Sequence, residues 1–189
     1  MAKNDQQEAF ERVLTSTLVR VTEFLKFAEA KNAALLTFAS AWILASINLL
    51  NGTNLLPSNW KWAIAAALPL FVSGALVGIV SFLPKTLLSG FHHDPEQDKS
   101  LLYFGDAATF APAAYKERIR TRYFPPDDQS ATQSYLDDLS VQIAVNSKIT
   151  RRKLRFFNAG AGLVLAALAI LAIPSANTLW SLVTACGAR

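Results

Sequence analysis

The chain has 189 residues, 52% of them hydrophobic and 17% charged, with a formal net charge of +4. Soluble domains carry about 25% charged residues, and the apolar excess here is gathered into three uncharged blocks, which points to a bilayer rather than to one large soluble core. So modest a charge does not point to nucleic acid, and a single cysteine, Cys186, excludes an internal disulfide framework or a multi-cysteine zinc site.

Residues 1–32 carry five acids and five bases, unlike the short basic leader of a signal peptide. This segment is expected to stay in the compartment where it is made. Phe10, Val13, Leu14, Thr17, Leu18, Val21, Leu25 and Ala28 recur at three- and four-residue steps, the period of a helix with one apolar stripe. Nothing breaks the chain before the first block, residues 33–50, so one helix is expected to pass from cytoplasm into lipid. At the helical rise that block is about 27 Å long, close to the ~30 Å hydrocarbon core. Lys31 and Asn32 precede it, Asn51-Gly52 follow it, and Asn48 inside it would need a partner helix. The second block, residues 62–83, has no charge, and Trp60 and Trp62 flank Lys61 as an interfacial anchor. Pro69 is tolerable in a membrane helix. Gly74-x-x-x-Gly78 gives a small-residue face, read as packing on a span of the same chain in preference to a dimer face.

Residues 84–155 return to polar sequence. His92-His93-Asp94-Pro95-Glu96-Gln97-Asp98 sets carboxylates beside imidazoles, a set that can bind a divalent metal. Adjacent histidines in a polar loop are usually solvated, and no metal site is expected. Pro112 suits a first helical position. Tyr115, Ile119 and Tyr123 then share one face, with Lys116, Arg118, Arg120 and Arg122 over much of the rest. That helix reads as a basic surface facing solvent or headgroups in preference to a phosphate site. Pro125-Pro126-Asp127-Asp128 is a turn, after which Ser130 and Gln133 have capping-box spacing. Leu136, Leu139, Ile143, Ser147 and Thr150 continue a stripe into Arg151-Arg152-Lys153-Leu154-Arg155, and the two stripes are expected to bury each other as an antiparallel pair. Asp137 and Asp138 diverge by about 100° on a helix, so both are assigned to the surface. The third block is residues 156–173. Pro174 is expected to end it, leaving 174–189 as an interfacial tail, with a tilted or partial fourth crossing as the alternative.

Residues 1–32 and 84–155 hold sixteen lysines and arginines, against two in the 51–61 loop and the tail. By the positive-inside rule the N-terminus and residues 84–155 are cytoplasmic. The fold expected is an all-α, multi-pass membrane protein: three transmembrane helices, the long ones extending into a cytoplasmic helical sensor region. No phosphate-cradling glycine loop, G-x-S-x-G, H-E-x-x-H or C-x-x-C is present, so neither catalytic residues nor a cofactor is expected. Three non-enzymatic classes stay open: a ligand-gated membrane effector, a constitutive scaffold paired through Thr17, Ser147 and Thr150, and a small channel. Three spans enclose little space, so any pore needs several chains, and a homo-oligomer is expected.

Three segments carry a family likeness: Phe27-Ala28-Glu29-Ala30-Lys31-x-Ala33-Ala34-Leu35-Leu36, Leu102-Tyr103-Phe104-Gly105, and Asp138-Leu139-x-x-Gln142-Ile143 followed by Lys148-Ile149 and Lys153. Placed between these spans, from Glu23 to Ile173, they resemble the transmembrane effectors of Pycsar antiphage systems. The Ala111-Pro112 start departs from that pattern, where a polar cap before proline is usual. The resemblance implies that a partner cyclase, activated by infection, makes cUMP or cCMP. The effector binds this nucleotide and impairs the bacterial inner membrane, so that the cell dies before phage mature. An anion with a ribose hydroxyl and a flat base calls for a cation, amide or carboxylate partners and an aromatic or apolar platform. Glu29, Lys31, Phe104, Gly105, Gln142, Asn146, Lys148 and Lys153 are the matching positions. Gln142 and Asn146 stand one turn apart and can face one pocket. Lys31 can equally snorkel to headgroups, and Phe104-Gly105 can equally be a packed turn.

Overall fold

The computed structural model describes residues 3–52, 56–83, 100–126 and 128–187. The His92-His93 loop, Asp127 and the Cys186 side chain lie outside the described residues. Among those described, all regular structure is helical: α1 (Lys3–Asn51), α2 (Ser58–Phe82), α3 (Phe104–Ala107), α4 (Pro112–Tyr123) and α5 (Gln133–Gly187). Three of these, α1, α2 and α5, are long and apolar enough to cross a membrane.

The helix ends follow local chemistry. Ala111 is extended and makes no side-chain cap, yet α4 begins at Pro112, where the missing N–H falls among the donors a helix leaves unused. Ser130 does not cap α5. Thr132 does, its Oγ1 accepting the Tyr135 N–H at 3.2 Å, while the Ser130 N–H donates to Asn4 Oδ1 at 3.0 Å. Pro174 does not end the last helix either, since α5 continues through it to Gly187. A proline removes one ladder bond, a loss that membrane helices absorb through neighbours and hydroxyl side chains. The carbonyl left without its ladder donor is that of Ile170; nearby, Ser175 Oγ donates to the Leu171 carbonyl at 3.0 Å and Thr178 Oγ1 to the Pro174 carbonyl at 2.8 Å.

The chain packs as two units, one formed by residues 1–27 and 84–151, the other by 28–83 and 152–189. Helices α1 and α5 contribute to both.

The second unit holds the apolar blocks. Its core is Leu35, Ala39, Ala63, Ile64, Ala67, Phe71, Ala75, Val164, Ala167 and Leu171. Trp42 stacks on Phe71 with centroids 5.6 Å apart and planes 5° from parallel. Small residues set the closest approaches. A Cβ on Gly74 would meet Val164 Cγ2 at 3.1 Å and the Gly160 carbonyl at 3.2 Å, while one on Gly78 would lie 3.7 Å from Leu36 Cβ. The Gly74–Gly78 face is therefore used within the chain, against α5 and α1, as the sequence reading preferred. Asn48 lies on an exposed side of α1.

In the first unit the sequence stripes are only partly buried. Leu14, Leu18, Val21 and Leu25 are half-buried, but Phe10 and Val13 are 48% and 59% exposed. On α5, Leu136, Leu139 and Thr150 are buried, and Ser147 is exposed. The expected antiparallel pairing is corrected. Asn4 meets Ser130, and Glu11 lines a cavity with Tyr135. In the second unit Glu29 meets Lys153, and Gly160 meets Leu35. In each unit α1 and α5 therefore run parallel. Two helices that leave the same side for the same bilayer must run the same way.

Candidate ligand site

The first unit folds residues 100–110 around Asp106. Its Oδ2 accepts the Ser100 N–H at 3.1 Å, and the residue is buried. Tyr103 is buried against Val145, with Val141 and Ile149 beside it. Burial first, and the charge of Asp106 second, raise the Tyr103 phenol above the usual tyrosine value. Gln142 Nε2 donates to the Leu102 carbonyl at 3.4 Å, a long and weak bond that nevertheless joins two of the quoted segments. Phe104 is 69% exposed, Gly105 is buried, Asn146 is half-buried and Lys148 is exposed. The aromatic that packs on α5 is thus Tyr103, and Phe104 is the exposed one.

Helix α4 is tied down at both ends. Tyr115 donates to the Leu101 carbonyl at 2.8 Å. Arg122 grips Asp138 with two bonds, Nε to Oδ2 at 2.8 Å and Nη2 to Oδ1 at 3.0 Å, and the Tyr123 hydroxyl donates to the same carboxylate. Asp138 is only 6% exposed, which corrects its assignment to the surface. The reason is electrostatic: a buried carboxylate needs a cation and further donors, and α4 supplies both. Asp137 stays exposed. The carboxylate holds the Arg122 proton more firmly than usual. Tyr123 is raised above its ordinary value, mainly by burial and then by its bond to Asp138. Lys116, Arg118 and Arg120 remain exposed on α4. The Arg118 guanidinium lies 5.0 Å from the Phe110 ring centroid and that of Arg120 5.5 Å from Phe124.

In the second unit Lys153 Nζ donates to Glu29 Oε1 at 2.9 Å and lies 5.9 Å from the Phe82 ring centroid. Lys31 Nζ sits 5.2 Å from the ring of Phe157. Beneath the ion pair Asn32 is fully buried, its Nδ2 donating to the Ala28 carbonyl at 2.8 Å and the Lys153 carbonyl at 3.2 Å. Asn32 Oδ1 and Ser81 Oγ are buried without a hydrogen-bond partner among the described residues. The eight candidate residues thus fall into two sets. Glu29, Lys31 and Lys153 belong to the second unit, and Phe104, Gly105, Gln142, Asn146 and Lys148 to the first.

A family model for the Pycsar effector protein domain matches residues 13–182. The chain belongs to the Pycsar effector family. It is an antiphage defence effector carrying transmembrane helices. It is 40% identical over 161 residues to the Pycsar effector protein RsPycTM of a Rhizobium species, covering 85% of this chain and 91% of that one. No solved structure matches it.

The packing of Tyr103, the bond to Asp106, the burial of Asn32 and the Arg122–Tyr123–Asp138 cluster of this Pycsar effector lie outside the eight candidates. Asn32 was legible, for Ala28, Asn32, Leu35 and Ala39 form a stripe at four- and three-residue steps, and all are buried. In the first unit of the Pycsar effector a cavity of about 230 Å³ opens between Glu11, Tyr123, Ser130, Thr132 and Tyr135, and none of the eight candidates lines it. Its one charged wall residue, Glu11, would repel an anion.

Proposed function

We propose that this Pycsar effector binds a cyclic pyrimidine nucleotide, cUMP or cCMP, made by a partner cyclase, and in response impairs the inner membrane, causing abortive infection. The N-terminus and residues 84–155 face the cytoplasm, and the active form is a homo-oligomer. The observation that carries this reading is helix continuity. α1 runs unbroken for 49 residues and α5 for 55, so each belongs both to the unit holding the apolar blocks and to the other. A ligand with different affinity for two arrangements of such helices shifts the balance between them.

Each set of candidates offers part of the needed chemistry. Lys148 is an exposed cation, Gln142 and Asn146 carry amides, and Phe104 is an exposed ring. In the other set Lys153 is a cation paired with the carboxylate of Glu29, and Lys31 is a cation over the ring of Phe157. The scaffold alternative loses its specific motivation, because the hydroxyls assigned to it bond their own helices. Thr17 donates to the Val13 carbonyl at 2.7 Å, and Ser147 and Thr150 to those of Ile143 and Asn146 at 2.8 Å.

Proteoliposomes holding the full chain and a trapped dye should leak when cUMP or cCMP is added. Permeability that stays flat with both nucleotides, on both faces of the vesicle, would refute the proposal.

A further inference from the structure

The Glu29–Lys153 pair is unequal. Lys153 is 16% exposed at its side chain and Glu29 is 47% exposed, with Nζ and Oε1 2.9 Å apart. A cation that is mostly out of water is costly to leave without an anion beside it. A half-exposed carboxylate, in contrast, returns to water at small cost, because such pairs contribute little net energy. Lysine must therefore stay paired, and the carboxylate is the replaceable partner. The pair also joins α1 to α5, and directly below it the Asn32 amide makes a second link between the same helices, to the Lys153 carbonyl at 3.2 Å. That second link is incomplete, since Asn32 Oδ1 has no partner among the described residues although the residue is wholly buried. A buried amide left half-satisfied costs free energy and makes this crossing easier to part.

We propose that Glu29 is a built-in stand-in for an activating anion. A singly charged phosphodiester takes its place on Lys153, and the freed Glu29 no longer ties α1 to α5 in the second unit. The exchange leaves the lysine paired in both states, so the ligand has only to displace a carboxylate that water accepts readily. This inference rests on the proposed nucleotide response and specifies its regulation. Two sources supply the same chemistry: a 3′,5′-cyclic nucleotide, and an anionic lipid headgroup such as that of phosphatidylglycerol.

The test uses the full chain in nanodiscs, with Cys186 replaced by serine and spin labels at exposed Ala34 on α1 and Ala159 on α5. Glu29→Gln keeps the size of the side chain and removes the competing charge. It should lengthen the label separation without any nucleotide, and bind cUMP or cCMP about fivefold more tightly by equilibrium dialysis, the factor set by losing a half-exposed ion pair. Lys153→Gln should bind at least roughly tenfold more weakly, as expected for a lost charge-assisted contact, and Lys153→Arg should recover most of the affinity. Weaker binding by Glu29→Gln would make Glu29 a direct ligand contact and overturn the inference, as would an unchanged separation. Should the parent bind neither nucleotide, the proposed function falls while the inference is decided by lipid. Parent helices that separate further in phosphatidylglycerol than in phosphatidylcholine would assign the anion to the bilayer, and equal separation would overturn it.

Discussion

Replacing Asp138 by alanine should destabilise the first unit by roughly 3–5 kcal/mol, the cost of breaking a largely desolvated ion pair by removing its buried carboxylate. Arg122 is 19% exposed and Asp138 6%, so water cannot take over the lost bonds without opening the contact between α4 and α5. The same substitution strands the Tyr123 hydroxyl, which donates to that carboxylate. Thermal unfolding of the detergent-solubilised chain, followed by limited proteolysis around residues 112–126, would read the loss. Changing both partners to apolar residues of similar volume should recover much of it, because a paired apolar replacement removes the desolvation cost as well as the attraction. An Asp138→Ala chain as resistant as the parent would show that the cluster is not what fixes α4. The Tyr123 phenol adds a pH signature. Its folded value is raised above about 10, the ordinary tyrosine value. Its contribution is therefore complete below that pH and lost as pH climbs through the raised folded value.

The second large effect is expected at Gly160. A Cβ there would lie 2.8 Å from Leu35 Cδ2 and 3.3 Å from the Gly74 carbonyl. The Leu35 methyl can swing aside, but the carbonyl belongs to the α2 backbone and cannot. Gly160→Leu should therefore push α2 from α5 and cost about 1–3 kcal/mol, the usual range for overpacking a tight contact. Gly162, two residues on, is the control, since nothing lies within 4 Å of a Cβ placed there. Gly162→Leu should leave the melting curve in detergent close to that of the parent. Equal losses at both positions would mean that the Gly74–Gly160 approach does not hold the bundle together.

Much of the fold was readable because lipid imposes a coarse rule: three uncharged stretches stand out against any polar background. Pro112 and Gly74–Gly78 were also legible, each because one residue type has a narrow structural use. The ligand candidates were named from a family likeness, and the geometry joins Glu29 to Lys153 and brings Gln142 to the 102–105 segment, contacts that no spacing rule could supply. Asp138 was misread because its partners lie 15 and 16 residues away across a turn, beyond the reach of helical periodicity. Thr132 caps in place of Ser130 because it is the residue directly before Gln133, where the helix begins, and its Oγ1 reaches the Tyr135 N–H. The parallel run of α1 and α5 follows from their shared side of departure, a matter of topology that the stripe pattern could not express.

The passage of α5 through Pro174 has a consequence for how the protein meets its bilayer. From Phe156 to Gly187 the helix spans about 48 Å at the standard rise, well beyond the ~30 Å of hydrocarbon it has to cross. Such a rod either leans or protrudes, and each option carries a cost set by membrane thickness. Chain-length composition of the lipids thereby becomes a variable the protein feels directly, so thin and thick membranes should favour different inclinations of this one helix.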